Sequence, residues 1–317
     1  MVIPPYSTLE PLGSLPEAQR RLMLEIGPRW GSDIVAHRKL VIDCYTPLVA
    51  ATPKDGIAVQ RNIQYGTHPR QVLDVFAPRD FEANLSGAMP RVAVVFVHGG
   101  AFVRGNKSVN GEIYDNVSYW FAAQGFVAIN VEYRLADIAP YPGGAEDVRD
   151  ALALVASEAE SWGIDRRRMF LVGHSAGGAH AATCLFDPAL CAMRPAPPVA
   201  GLVLISARLV ADVRPGNPNA NPVRAYFGND EQLYEARSAL THIARSNVPL
   251  MIAVAEFENP YLDEYGAQCF LNALRLRGVP PRFIQMRGHN HTSIVAHFNS
   301  GEDYLGREIL RFIEDAA

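Results

Sequence analysis

Residues 168–178 read RMFLVGHSAGG. An apolar run stops on a serine, with glycine two residues before it and two and three residues after it. A strand-to-helix turn needs one glycine at most. Glycines at 173 and 177 fit a turn where strand and helix backbones pass too close for a side chain, which holds Ser175 at the tip with its hydroxyl exposed. The Ala176 N–H, at the start of the helix, points into the same space and can bind a developing negative charge on oxygen. No lysine follows the glycines and the GxGxxG spacing is missing, which argues against a phosphate or dinucleotide loop.

Outward from this turn the chain alternates. Apolar runs at 91–98 (RVAVVFVH), 125–133 (GFVAINVEY), 168–173, 199–206 (VAGLVLIS) and 248–256 (VPLMIAVAE) read as buried strands. The run at 281–288 (PRFIQMRG) alternates more and reads as a strand nearer an edge. Helices are expected over 111–124, 143–161, 175–186, 230–246 and 262–277, with a last one over 302–315. This alternation implies an α/β protein with a mainly parallel sheet covered on both faces. Upstream, 58–66 and 70–78 suit an antiparallel pair at the starting edge, which completes an eight-stranded sheet. Residues 1–55 differ. There, 14–27 and 32–51 read as two amphipathic helices before the sheet begins. Residues 207–230 are loop-like and rich in Pro and Asn. Both segments are candidates for a cap over the carboxyl ends of the strands, where ligands sit in open α/β sheets. The expected division is 1–55 as an N-terminal helical cap segment, then 56–317 as the catalytic domain with a cap insertion near 207–230.

Composition narrows the function. Hydrophobic residues make up 49% of the 317 and charged residues 20%, enough for a sizeable core. The net charge is −4 and no Lys/Arg block stands out, which argues against nucleic acid. Arg166-Arg167-Arg168 reads as a solvated turn before a strand. MVIPPYSTLE shows no secretory signal, and no run approaches about 18 apolar residues, so a cytoplasmic protein without a membrane span is expected. Cys44, Cys184, Cys191 and Cys269 lack CxxC spacing and suit reduced thiols, with no structural zinc.

A serine alone is a weak nucleophile. It needs a base, the base needs an orienting acid, and the oxyanion needs donors. For donors, His98-Gly99-Gly100-Ala101 directly follow a strand, and small residues there let several N–H groups face a substrate oxygen. A tight turn would use the same residues. His98 itself reads as a hydrogen-bonder that fixes the loop. The base should follow the last strand, where GHNHTS (288–293) offers His291 first and His289 second. These two histidines could share a face toward a metal, but no further ligand pair accompanies them. The acid should follow the strand that ends near Ala255. Glu256 still belongs to that strand, and Asp263 and Glu264 open the next helix, where its dipole favours acids. Glu258, ahead of Pro260, is the first candidate and Asp263 the second. The chain order is then Ser, acid, His.

With HGGAF (98–102), EYRLA (132–136), GHSAGG (173–178) and GHNH (288–291) assembled, the chain resembles the hormone-sensitive-lipase-like esterases of the α/β-hydrolase superfamily. The likeness covers roughly residues 58–315, and kynurenine-formamidase-like and feruloyl-esterase-like hydrolases are close cousins. The resemblance implies the α/β-hydrolase fold with a small helical cap. It also implies that Gly100, Ala101 and Ala176 donate to the oxyanion while Gly99 shapes the turn. Tyr133, Arg134, Pro142 and Asp147 correspond to scaffold supports. Three positions depart from the pattern. His174 stands where Asp or Thr is usual and is similar to the formamidases. Glu258-Asn259-Pro260 replaces Asp-Pro. Ala101 replaces a third glycine and keeps the N–H.

The function expected is a serine carboxylesterase acting on small to medium acyl or aryl esters, with no cofactor. The same residues acting on an amide or formamide form the second expectation, and a binding protein on a retired hydrolase scaffold the third. Phe102, Val103, His174, Tyr226 and Phe227, with Trp30, are candidate pocket residues, although core packing would also account for each. The expected partner is a small-molecule ester or amide, not a nucleic acid or a membrane. Many capped esterases dimerise, so the resemblance extends to a homodimer.

Overall fold

The computed structural model describes residues 12–79 and 90–316. Residues 1–11 of the expected cap segment, and residues 80–89 and Ala317 of the expected catalytic domain, lie outside the described residues. Eight strands form one sheet: β1 (Ile57–Gln64), β2 (Val72–Pro78), β3 (Arg91–Val97), β4 (Val127–Val131), β5 (Ile164–His174), β6 (Gly201–Ile205), β7 (Leu250–Phe257) and β8 (Arg282–Asn290). Their order is β1-β2-β4-β3-β5-β6-β7-β8. β1 pairs antiparallel with β2, and β2 with β4; the other neighbours are parallel. This is the expected mainly parallel sheet with an antiparallel starting edge.

The helices are α1 (Glu17–Ile26), α2 (Ile34–Ala51), α3 (Asp115–Ala123), α4 (Gly143–Ser157), α5 (Ala176–Phe186) and α6 (Pro188–Met193). They continue as α7 (Ala220–Phe227), α8 (Tyr234–Arg237), α9 (Leu262–Arg277), α10 (Ser293–Ala296) and α11 (Tyr304–Ala316). The two-residue period of β3 explains how they are layered. Ala93, Val95 and Val97 face a core shared with α4, α5 and α9. Val94 and Phe96 face the opposite core, with Val117 and Phe121 of α3 and Ile309 and Phe312 of α11. Strands buried on both sides read as continuous apolar runs, which is why 91–98 stood out in the sequence.

Local chemistry changes three expectations. The helix expected over 230–246 breaks into a 3₁₀ turn (Glu231–Leu233), α8 and a second 3₁₀ turn (Ala239–Arg245). The break falls at Ser238, which is extended (φ −81°, ψ 122°). Its hydroxyl donates to the Tyr234 carbonyl (2.7 Å) and accepts the Ala211 N–H (2.9 Å), a local bond that competes with the helix. Residues 207–230, expected as loop, contain α7. Arg166–Arg168 lies within β5 rather than before it. The ladder jumps from Arg91↔Ile164 to Ala93↔Met169, so residues 165–168 loop outward; Arg166 and Arg167 stay exposed as a turn would leave them, while Arg168 is half-buried.

The N-terminal segment packs on the side of the sheet where β7 and β8 end. Asp33 caps α2 by accepting the Ala36 N–H (3.0 Å). Met23, Ile26, Trp30, Val41, Tyr45 and Val49 form one apolar cluster with Ile113 and Ala296. Polar anchors then fix the register. Trp30 Nε1 donates to Asn259 Oδ1 (2.9 Å), Tyr45 Oη to Glu302 Oε1 (2.8 Å), and Thr52 Oγ1 to the Asn299 carbonyl (2.7 Å).

Candidate active site

Ser175 follows β5 directly and caps α5. Its backbone is left-handed at φ 55° with ψ −117°, a conformation that costs a non-glycine residue about 1–3 kcal/mol and marks functional turns. Gly177 shows why the turn needs glycine. A Cβ there would sit 2.2 Å from the Val97 carbonyl oxygen and 2.3 Å from that of His98. Because α5 begins at Ala176, that residue's N–H has no acceptor within the helix.

His291 lies beyond β8, and its backbone N–H donates to the Phe257 carbonyl (3.1 Å). Its Nε2 is 3.0 Å from Ser175 Oγ and its Nδ1 is 2.8 Å from Glu258 Oε2. The other Glu258 oxygen accepts the Ala255 N–H (2.8 Å) and the Ser206 hydroxyl. The structure thus brings the first-choice serine, base and acid into one hydrogen-bonded line. It places the second choices elsewhere. His289 bonds Ser293 Oγ (3.2 Å) and pairs with Glu302 (3.3 Å), and Asp263 sits in the first turn of α9. With both histidines so engaged, no group of three His, Cys, Asp or Glu able to hold a metal occurs among the described residues.

The loop after β3 closes over the serine. A Cβ on Gly99 would be 3.0 Å from Ser175 Cβ, and one on Gly100 would be 1.8 Å from the Arg104 carbonyl oxygen. Ala101 (φ 50°) and Phe102 (φ 69°) are both left-handed, two strained residues in succession. Bonds from Arg104 N–H to the Gly100 carbonyl (3.1 Å) and from Ala136 N–H to the Phe102 carbonyl (3.0 Å) hold them there. His98 is the loop-fixing group expected, bonding the Gly99 carbonyl (2.7 Å) and Glu132 (2.9 Å), while Tyr133 Oη donates to its carbonyl (2.9 Å). Burial acts to raise the Glu132 pKa, but His98, Arg70 and the Lys107 N–H together hold it below the usual carboxylate range. Arg134 grips Asp147 through Nε and Nη2 (2.6–3.0 Å), as a scaffold support should.

Phe102, Tyr226 and Phe227 meet in one aromatic cluster with Ala176 and Ala179, and Val103 packs against it. The Phe102 and Tyr226 rings stack at 4.6 Å, with Phe227 edge-on to Phe102. Trp30 is buried under the acid loop and bonds Asn259, so it packs against the site's scaffold. His174, expected in the substrate pocket, is corrected to an internal role. Its Nε2 bonds the His291 carbonyl (3.0 Å) and its Nδ1 faces Tyr114 Oη (3.3 Å), leaving neither nitrogen for a ligand. Sequence reasoning missed Ser206 and Tyr114. Ser206 ends an ordinary apolar strand, and Tyr114 stands in a loop with no pattern around it.

Comparison with known proteins agrees with this geometry. Residues 73–185 match the family model described as BD-FAE. The chain is similar to Esterase LipC of Mycobacterium tuberculosis, 34% identical over 119 residues, which cover 38% of this chain and 28% of that one. It is similar to the ethyl acetate hydrolase of Pseudomonas putida, 34% identical over 106 residues, 33% of this chain and 30% of that one. The matched stretches span 28% to 38% of the length of the first curated relatives. Among solved structures, a bacterial heroin esterase superposes with a TM-score of 0.70 at 21% identity, covering 95% of this chain and 97% of that one. Among the described residues, no helix is long and apolar enough to cross a membrane. Sheet order, serine turn and matched core together show the α/β-hydrolase fold, with a core similar to that of the hormone-sensitive-lipase-like esterases.

Proposed function

We propose that the protein is a serine carboxylesterase that cleaves small to medium acyl or aryl esters through an acyl-enzyme. The observation that carries this reading is the line from Ser175 Oγ through His291 to Glu258, at 3.0 and 2.8 Å, beside a strained loop of small residues. In this reading His291 Nε2 takes the Ser175 proton as Oγ bonds to the ester carbonyl carbon. Glu258 accepts from Nδ1, fixes the tautomer and stabilises the imidazolium. The N–H groups of Gly100, Ala101 and Ala176 receive the oxyanion, each such donor being worth about 10²- to 10³-fold in rate. The carbon–oxygen bond to the alcohol breaks, and His291 returns the proton to the leaving oxygen. Water then gives a proton to His291 as its oxygen bonds to the acyl carbon, the bond from that carbon to Ser175 Oγ breaks, and His291 returns the proton to Oγ as the acid leaves.

The N-terminal helices and the 207–230 segment with α7 serve as the cap, which Trp30 fastens to the acid loop. Phe102, Val103, Tyr226 and Phe227 form the apolar wall beside Ser175. Two finer points belong to the same reading. One is a reducing, cytoplasmic setting, supported by four free cysteines. The other is a homodimer, supported by analogy with capped esterases.

The test is hydrolysis of short p-nitrophenyl esters, with anilides and N-formylkynurenine as comparison substrates. Wild type should cleave the esters and be labelled by a fluorophosphonate, and Ser175→Ala should lose both. Ester turnover that survives Ser175→Ala would sink the reading, and a preference for the amides would redirect it to amide hydrolysis.

A further inference from the structure

We propose that His174 and Tyr114 act as a pair of positioning residues that lock the oxyanion loop and the His291 imidazole into one arrangement. The inference rests on the esterase reading of Ser175 and His291. It begins with a directional argument. The His291 carbonyl can only accept, so at 3.0 Å the proton must sit on His174 Nε2. His174 is 3% exposed, and burial, followed by the neighbouring His291, pushes its pKa well below the ordinary histidine value. The ring is therefore neutral, and Nδ1 carries a lone pair. Tyr114 Oη, 3.3 Å away, is the donor that fills it.

Gly99 lies against this pair. A Cβ there would be 2.8 Å from His174 Nδ1, 3.2 Å from Tyr114 Oη and 3.0 Å from Ser175 Cβ. The first glycine of the oxyanion loop thus rests on the pair on one side and on the nucleophile on the other. The far end is clamped as well. Asn116, fully buried, accepts the Tyr114 N–H through Oδ1 (2.8 Å). Its Nδ2 donates to the carbonyls of Val295, Ala296 and Phe298 (2.9–3.1 Å), in the segment that follows His291. Tyr114 is held at φ 75°, a strained backbone that this clamp maintains. The tyrosine segment therefore reaches the histidine turn by two routes, one through His174 and one through Asn116.

The rings of His174 and His291 lie 4.9 Å apart, tilted by 35°. During turnover His291 becomes an imidazolium. A neutral ring beside it leaves that charge unopposed, whereas a cation would repel it.

The test compares Tyr114→Phe, His174→Phe, the double variant and His174→Gln in p-nitrophenyl butyrate hydrolysis, with thermal unfolding as a control for structure. Tyr114→Phe, which removes one oxygen, should lower kcat about ten- to a hundredfold with KM near wild type, the scale of a catalytic group set slightly out of place. The double variant should be no slower than His174→Phe, because both changes break one linkage. His174→Gln should recover part of the loss, since its amide N–H can still meet the His291 carbonyl. An unchanged kcat in a folded Tyr114→Phe protein, or losses that multiply in the double variant, would overturn the proposal. If wild type itself shows no Ser175-dependent hydrolysis, the esterase reading fails and takes the proposal with it. If wild type turns over and Tyr114→Phe matches it, the proposal fails alone.

Discussion

Glu258 makes three contacts with two oxygens, and each can be tested separately. Glu258→Gln removes the charge that fixes the His291 tautomer and should lower kcat by about 10⁴-fold while KM barely moves. Ser206→Ala leaves Oε1 with the Ala255 N–H as its neutral partner. This should cost about tenfold in kcat, the value of one positioned hydrogen bond near 1.4 kcal/mol. Steady-state kinetics on the purified variants reads both. The place of Glu258 in this hydrogen-bonded line was legible because it falls just past an apolar strand and before a proline, and Ser175 and His291 also sit at strand ends. Ser206 was not legible, because its left-handed backbone (φ 47°) and the approach of Glu258 arise from a contact 52 residues away.

At the scale of elements, the N-terminal helices are joined to the site through one indole. Trp30→Phe keeps most of the buried ring but strands Asn259 Oδ1 without its donor. The change should destabilise the protein by about 1–3 kcal/mol, measured by urea unfolding. It should also lower kcat, since Asn259 adjoins Glu258. The central strands were legible because burial on both faces writes continuous apolar runs, although β5 starts at Ile164, ahead of the expected 168. The segment from 230 to 246 was not, since an apolar spacing suited to a helix says nothing of a serine hydroxyl that bonds Ala211 instead.

For the whole molecule, acid is the revealing variable. Burial lowers the pKa of His174, and takes those of His180 and His297 down to about 3 and about 4. Above the unfolded value of about 6.5 these rings are neutral in both states and add nothing to the pH dependence. Below it the unfolded chain binds protons that the folded chain refuses, so stability falls as pH drops from about 6.5 toward 4. Each ring steepens the fall by up to about 1.4 kcal/mol per pH unit. Neither nitrogen of His180 has a hydrogen-bond partner among the described residues, and its ring packs edge-on to Phe102, Tyr133 and Tyr226. His180→Phe should therefore raise the melting temperature at pH 5 relative to wild type more than it does at pH 7.5. The thiols give a second whole-molecule readout. Burial pushes Cys44 up to about 11 and Cys184 and Cys269 up to about 12, so a thiol reagent at pH 8 should modify Cys191 first in the native protein.

Trp30 meets its partner 229 residues down the chain, and Tyr45 meets its own 257 residues down. A ribosome builds the chain in the opposite sense to this dependence: α1 and α2 emerge well before Asn259 and Glu302, their polar partners. Until those partners follow, Met23, Trp30 and Val41 lack their cover and present a greasy surface, the kind that chaperones bind and that sticks to other nascent chains. Assembly of the reaction centre thus waits on segments made long after these helices, and a chain halted before Asn259 would leave them without any of their three polar anchors.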